Sequence, residues 1–165
     1  MTVDIKIRWD TDLMEGDFIF EDNDFQTDDG LGTAVLISWF TDQRADDEDP
    51  IPNAQNGFID KRGWWGDLID AQVEGDQIGS KLWLLNRSKT DQATLNLAVE
   101  YGEAALKWMI DDGIVKEVTV TAERLKYLNN DYILALQADI TKLDGNKANI
   151  SFDPEWFATW DVDYN

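Results

Sequence analysis

The sequence predicts an α+β fold: a compact single domain whose helices pack on a small, largely antiparallel sheet. Three observations predict it. Apolar and polar residues alternate in "DIKIRW" near the amino end and in two longer runs after residue 114, which is the period of half-buried strands. Between them, "LNLAVEYGEAALKWMIDDG" repeats apolar residues at spacings of four and three, the period of an amphipathic helix. The length of 165 residues fits one domain and is enough to bury a core.

Along the chain, Ile5, Ile7 and Trp9 fall on one side of the first strand, with Lys6 and Arg8 on the other. A short "DFIF" run at residues 17–20 is placed to pair with it through the Gly16 region, and "EDNDFQTDDG" follows as a polar, acidic stretch. Residues 30–45 are apolar on nearly every side and read as a mostly buried helix, carrying Leu31, Ala34, Val35, Leu36, Ile37, Trp39 and Phe40. Thr27 is placed as its N-cap, with Asp28 and Asp29 in the first turn, where the helix dipole favours carboxylates. Gly30 and Gly32 weaken its start, and its β-branched content leaves a strand as the alternative.

Residues 45–60, with two prolines and an acidic run, predict a long exposed loop, closed by the Gly-bounded turn "GWWG" at residues 63–66. Leu82, Trp83, Leu84 and Leu85 form a short apolar segment, with Trp83 expected in the core. The clearest helix follows, with Thr90 as its N-cap and an apolar stripe of Leu97, Tyr101, Ala105 and Trp108, flanked by Leu95, Ala98 and Met109. Trp108 is expected to be core, and Gly113 is placed to stop the helix in a left-handed conformation. Two strands then alternate, the first with Val118, Val120 and Ala122 on one face and the second with Leu134, Leu136, Ala138 and Ile140. "DGN" at 144–146 turns into "KANISF", completing a three-stranded antiparallel meander. The domain is expected to span residues 1–152, leaving an acidic, aromatic carboxy-terminal tail at 153–165.

Composition narrows the function. Lys and Arg number 14 against 34 Asp and Glu, a net charge of -20, which repels phosphate backbones and anionic membrane faces. Nucleic acid and membranes are therefore not expected partners. The charge is uneven: residues 1–80 carry 20 acids and 5 bases, so the first half is either solvated or faces a basic partner. Neither Cys nor His is present, which removes thiol chemistry, thiolate and imidazole metal sites, and the usual general base near neutral pH. No apolar run approaches a membrane span of about 18 residues, and the amino end lacks a signal-peptide core.

Two candidate chemistries remain in the carboxylates. Asp67 and Glu74, beside an aromatic turn able to stack a sugar, could serve as the acid pair of a glycoside hydrolase, although an acidic chain brings some such pair together in any case. The acidic runs lack the ligand spacing of an EF-hand loop; Asp161, Asp163 and Asn165 begin such a spacing and the chain then stops. No metal or cofactor is expected. Aromatic side chains are the better site candidates. Trp64 and Trp65 are adjacent, with Lys61 and Arg62 before them, and the expectation is that one indole is core while the other, with Arg62, anchors an interface. Pairing of Arg62 with an acid of its own chain is the alternative. In the tail, Trp156, Phe157, Trp160 and Tyr164 would expose large apolar area if left free, so they dock either on the body or on a neighbouring subunit.

Several segments, "GDFIFEDNDFQTDDGLGTAVLISWFTDQRA", "RGWWGD", "GDQIGSKLWLLNRSKT" and "EAALKWMIDDG", resemble the small baseplate wedge protein of Mu-like contractile-tail phages and prophages over most of residues 16–113. The resemblance implies a compact α+β body of the wedge superfamily once labelled tail lysozyme. It also implies a structural, non-enzymatic subunit of the virion, made in the host cytoplasm and present in several copies. Such a subunit joins larger wedge subunits around the hub and supports the start of sheath assembly. In that superfamily a Glu-Pro-Arg motif often follows the long helix and helps hold the wedge bundle; here the place reads Ile110, Asp111, Asp112, Gly113, Ile114, so the motif is absent. The superfamily's old label keeps a carboxylate-based peptidoglycan hydrolase as the alternative, and an acidic mimic of nucleic acid is a third reading.

Overall fold

Alternation at the amino end produces short paired strands instead of one continuous hairpin. The computed structural model describes residues 4–10, 15–28, 31–52, 59–68, 77–86, 88, 91–126 and 132–151, and its contacts divide the chain into two units, Met1–Ile37 and Ser38–Asn165.

In the first unit, β1 (Asp4–Ile5) pairs with β6 (Thr27–Asp28), β2 (Ile7–Asp10) with β3 (Glu15–Phe18), and β4 (Phe20–Glu21) with β5 (Asp24–Phe25), all antiparallel. The predicted pairing of the "DFIF" region with the first strand is present, with Ile7 opposite Phe18. The three ladders meet at the single residues that separate them. Lys6 N–H donates to Gln26 O at 2.8 Å, Gln26 N–H to Ile19 O at 2.8 Å, and Ile19 N–H to Lys6 O at 3.4 Å, a closed ring of backbone bonds. The acidic stretch expected only to be polar contains a tight hairpin. Asp22 and Asn23, at φ 52° and 68°, supply the two left-handed residues of a primed turn.

The helix α1 (Leu31–Phe40) buries Leu31, Val35 and Trp39, which recur at spacings of four. Its boundaries correct the sequence reading. Thr27 and Asp28 are held extended opposite Ile5 and Asp4, so Thr27 is not the N-cap, and the first turn contains no acid. The helix stops at Phe40 rather than running to residue 45. Beyond it the backbone leaves to pair with another segment: Ser80 N–H donates to Thr41 O at 2.9 Å and Gln43 N–H to Ser80 O at 3.0 Å. Gly79 allows that approach, since a Cβ there would lie 2.3 Å from Thr41 O.

The second unit contains the expected meander. β7 (Val115–Lys126), β8 (Tyr132–Lys142) and β9 (Lys147–Ser151) pair antiparallel in chain order. Val118, Val120 and Ala122 sit opposite Ile140, Ala138 and Leu136. A register shift between Val115 and Glu117 changes the parity of the strand, so Val115 is buried as well. The β8–β9 turn is closed by Lys142 N–H to Asn146 O at 2.8 Å, with Gly145 at φ 86°.

Against this sheet lies α2 (Gln92–Asp111), capped by Asp91, whose Oδ1 accepts from Thr94 N–H at 2.9 Å. Asp91 therefore replaces Thr90 as the N-cap; a side chain one position later has the reach to the N3 amide. At the other end Gly113 adopts φ 65° as expected, with Ile114 N–H donating to Met109 O and Gly113 N–H to Ile110 O, a complete Schellman motif. The buried face of α2 is Thr94, Ala98, Gly102, Ala105, Leu106 and Met109, rotated from the predicted stripe. Leu97 and Trp108 lie on its exposed margin at 39 % and 38 %, so Trp108 is not core. Small residues let the helix settle close to the sheet, whereas a Trp needs space and a partner for its N–H, which here goes to Ser38 Oγ at 3.1 Å.

A smaller apolar cluster joins Ala45, Trp83 and Leu84, with Ile51 and Tyr101 packed against it. The expected core role of Trp83 holds, and its N–H donates to Gln43 O at 2.8 Å. The 45–60 segment begins as part of this cluster rather than as exposed loop, because Ala45 is buried. The fold is α+β with antiparallel sheets, as the periodicities predict.

Candidate functional site

Trp64 and Trp65 stand on a turn whose backbone is tied down immediately before them. Ala45 N–H donates to Lys61 O at 2.9 Å, and the Lys61 ammonium pairs with Asp47. Arg62 then takes a left-handed φ of 51°, which a non-glycine residue adopts at a cost of about 1 kcal/mol. Three contacts hold it there. Its N–H donates to Asp60 Oδ1 at 2.9 Å, its Nη1 bonds Asp42 Oδ2 at 2.8 Å, and its guanidinium lies 4.6 Å from the Trp83 ring centroid. Gly63 follows at φ 99°; a Cβ there would lie 2.7 Å from Arg44 Cβ.

The chain next enters a 3-10 turn, Trp65–Leu68, with Asp67 N–H donating to Trp64 O at 3.2 Å. The Trp64 ring folds back over Gly66, where a Cβ would meet it at 2.2 Å, and lies 5.5 Å from the Trp65 ring at a 45° tilt. Both indoles face outward, exposed at 45 % and 68 %, with Ile59 exposed nearby in sequence. The expected division into one core and one outward Trp is therefore corrected. Adjacent side chains point oppositely only in extended chain, and here a left-handed Gly63 leads into a tight helical turn. Arg62 follows its alternative reading and pairs with an acid of its own chain.

Electrostatics stiffen the surrounding loops. Lys81 Nζ bridges Asp46 Oδ2 at 2.6 Å and Asp49 Oδ2 at 2.7 Å. The Lys81 bond holds the Asp49 carboxyl below the usual carboxylate range. Burial works against the Lys81 charge, but its two aspartate bonds outweigh that and hold the ammonium above its ordinary value. Burial pushes the Asp42 carboxyl up, and the Arg62 charge offsets only part of the rise.

Asp67 does not present its carboxylate outward. Its Oδ1 accepts from Ile78 N–H at 3.3 Å, and its Oδ2 is buried with no hydrogen-bond partner among the described residues. Glu74 lies outside the described residues, as do Trp156, Phe157, Trp160 and Tyr164 of the tail. Among the described residues no group of three or more acids is placed to hold a metal ion, and no helix is long and apolar enough to cross a membrane. Sequence reasoning missed one aromatic cluster altogether: Phe18, Phe20 and Phe25 on the first unit, where the i, i+2 spacing within "DFIF" is the available signal.

What this arrangement can do is present two exposed indoles for burial by another surface. A family model described as phage protein GP46 matches residues 31–147, which contain the tryptophan turn, α2, β7 and β8. This chain belongs to the phage protein GP46 family. Within GP46 relatives, it is 43% identical over 122 residues to "Baseplate protein gp46" of Escherichia phage Mu, covering 74% of this chain and 78% of the relative. It is 33% identical over 153 residues to "Mu-like prophage FluMu protein gp46" of Haemophilus influenzae, covering 93% of this chain and 97% of that relative. The resemblance to proteins of Mu-like phages and prophages, read from the quoted segments, is borne out.

Proposed function

We propose that this GP46-family chain is a structural subunit of a phage tail baseplate, and that within it the chain is a wedge component. In this reading it joins larger wedge subunits around the hub in several copies, supports the start of sheath assembly, and catalyses no reaction. The observation that carries the reading is its 43% identity to a baseplate protein of phage Mu. The tryptophan turn supports it in physical terms. Trp64 and Trp65 expose large apolar rings on a backbone already fixed by Arg62, Asp42 and Asp60, so burying them against a partner costs little additional ordering. Trp156, Phe157, Trp160 and Tyr164 are proposed as further contacts, with the 153–165 tail as a docking segment of the 1–152 body. Arg62 contributes chiefly by holding the turn.

The test is assembly. The purified chain is mixed with the next larger wedge protein of the same phage and run through size-exclusion chromatography. Co-migration that is lost in Trp65→Ala, while the variant keeps its melting temperature, is the expected result. Failure of the wild-type chain to co-migrate, together with its absence from purified tails, would overturn the assignment.

A further inference from the structure

We infer that the β4–β5 hairpin is a second docking surface, which seats in an apolar pocket with a basic rim on a different protein of the same tail; this rests on the baseplate reading above. Phe18 and Phe20 are two residues apart along one strand direction and so share a face, and Phe25 is the direct cross-strand partner of Phe20. The three rings pack edge to face, Phe25 lying 5.9 Å from Phe18 and 5.3 Å from Phe20. They are nonetheless exposed at 52 %, 60 % and 45 %. Ile19, between them, is less exposed.

A cluster exposed to this extent among the described residues is costly to leave in water, and its exposure marks a contact site. Its surroundings choose the partner. Asp17, Glu21, Asp22 and Asp24 are exposed beside the ring-bearing residues along the chain, Glu21 and Asp24 facing each other across the ladder and Arg8 standing opposite Asp17, and no Lys or Arg occurs in the sequence between Arg8 and Arg44 while acids recur from Asp10 to Asp29. Three of these carboxylates accept local hydrogen bonds: Asp17 Oδ1 from Phe18 N–H at 2.7 Å, Asp24 Oδ1 from Phe25 N–H at 2.8 Å, and Glu21 Oε2 from Gln26 Nε2. Those bonds leave the negative charge in place. A second copy of the chain would bring the same charge to the same face and be repelled, whereas a Lys- or Arg-rimmed apolar pocket matches both features. The primed turn at Asp22 and Asn23 makes the hairpin narrow enough to insert.

The chain's lack of cysteine allows a direct test. Glu21→Cys places a single thiol on the hairpin, and its maleimide labelling rate is compared in the free subunit and in purified tails. The expected result is labelling at least ~10-fold slower in tails, with pairwise binding to the purified tail proteins of the same phage falling about ten-fold between roughly 50 and 500 mM salt. Tails that contain the chain but label as fast as the free subunit overturn this inference while leaving the baseplate reading intact. Tails that lack the chain overturn the reading itself. Phe20→Ser/Phe25→Ser is expected to block incorporation. Should that variant fail to fold, the exposed-charge variant Glu21→Gln/Asp22→Asn/Asp24→Asn takes its place, and incorporation at the wild-type level by either folded variant overturns the proposal. A concentration-dependent dimer of the isolated chain that Phe20→Ser abolishes would also overturn it, in favour of self-association.

Discussion

The indole N–H of Trp39, on α1, donates to the carbonyl oxygen of Gly102, in the middle of α2, at 3.0 Å. Residue 102 also sits tightly on β7: a Cβ placed there would lie 3.1 Å from Val120 Cγ1, closer than ordinary contact, and at an ordinary 3.6 Å from Trp39 Nε1. Both sides of the contact are fully enclosed, so the bond is made where no water competes for it. Trp39→Phe removes the donor and leaves a void. It is expected to lower stability by about 2 kcal/mol, read from urea denaturation, with the unfolding slope unchanged.

The tryptophan turn makes a sharper prediction, because strain and contact can be separated at Arg62. Arg62→Ala loses the Asp42 bond and the stacking on Trp83 while keeping the left-handed φ of 51°. Arg62→Gly loses the same contacts but relieves the backbone. The glycine variant should therefore be the more stable of the two by about 1 kcal/mol. Equal melting temperatures would show that the backbone there is not strained.

Trp64 and Trp65 should differ in stability cost in a way that matches their packing. Trp65→Ala removes a ring exposed at 68 % and should change stability by no more than about 0.5 kcal/mol. Trp64→Ala uncovers Gly66 and should cost more, on the order of 1 kcal/mol, by the same thermal melt. Similar large losses for both would contradict the observed placement.

The Lys81–Asp49 pair sets a pH window. Asp49 has its folded carboxyl held below the unfolded range, so its stabilisation is present above the unfolded value and is lost as pH falls through the folded one. Both side chains are largely covered, at 18 % and 17 % exposure for Lys81 and Asp49. Asp49→Asn should cost about 1 kcal/mol at pH 7, and the difference from the wild-type protein should shrink towards zero in acid. Comparing the two proteins at each pH removes the general relief of repulsion as the net charge of -20 is titrated. At the alkaline end the Lys81 ammonium, held above its ordinary value, gives up its contribution only as pH rises past that value.

Periodicity carried much of this fold. The pairing of Val118, Val120 and Ala122 with Ile140, Ala138 and Leu136, and the stop at Gly113, follow from residue type and spacing alone, since each is decided within a strand pair or a helical turn. The N-caps were less legible, because several Thr and Asp residues compete locally: Thr27 is claimed by a ladder with Ile5, and Asp91 does what Thr90 was placed to do. The apolar stripe of α2 was misplaced because Leu97 and Trp108 outweigh Ala98 and Gly102 in hydrophobicity, while close packing on β7 favours the small residues.

By itself the sequence determined the α+β class, the absence of histidine and cysteine chemistry, the acidic surface and the kinship with Mu-like phage proteins. These depend on composition, local period and the order of segments, which the chain carries at every point. Only the tertiary structure decided that both indoles of the tryptophan turn face outward, that Arg62 is held by Asp42 and Trp83, and that three phenylalanines gather on one acidic hairpin. The first two depend on residues some twenty positions apart or on left-handed backbone angles that turn neighbouring side chains away from simple alternation, and the third on the left-handed turn that brings Phe25 across from Phe20.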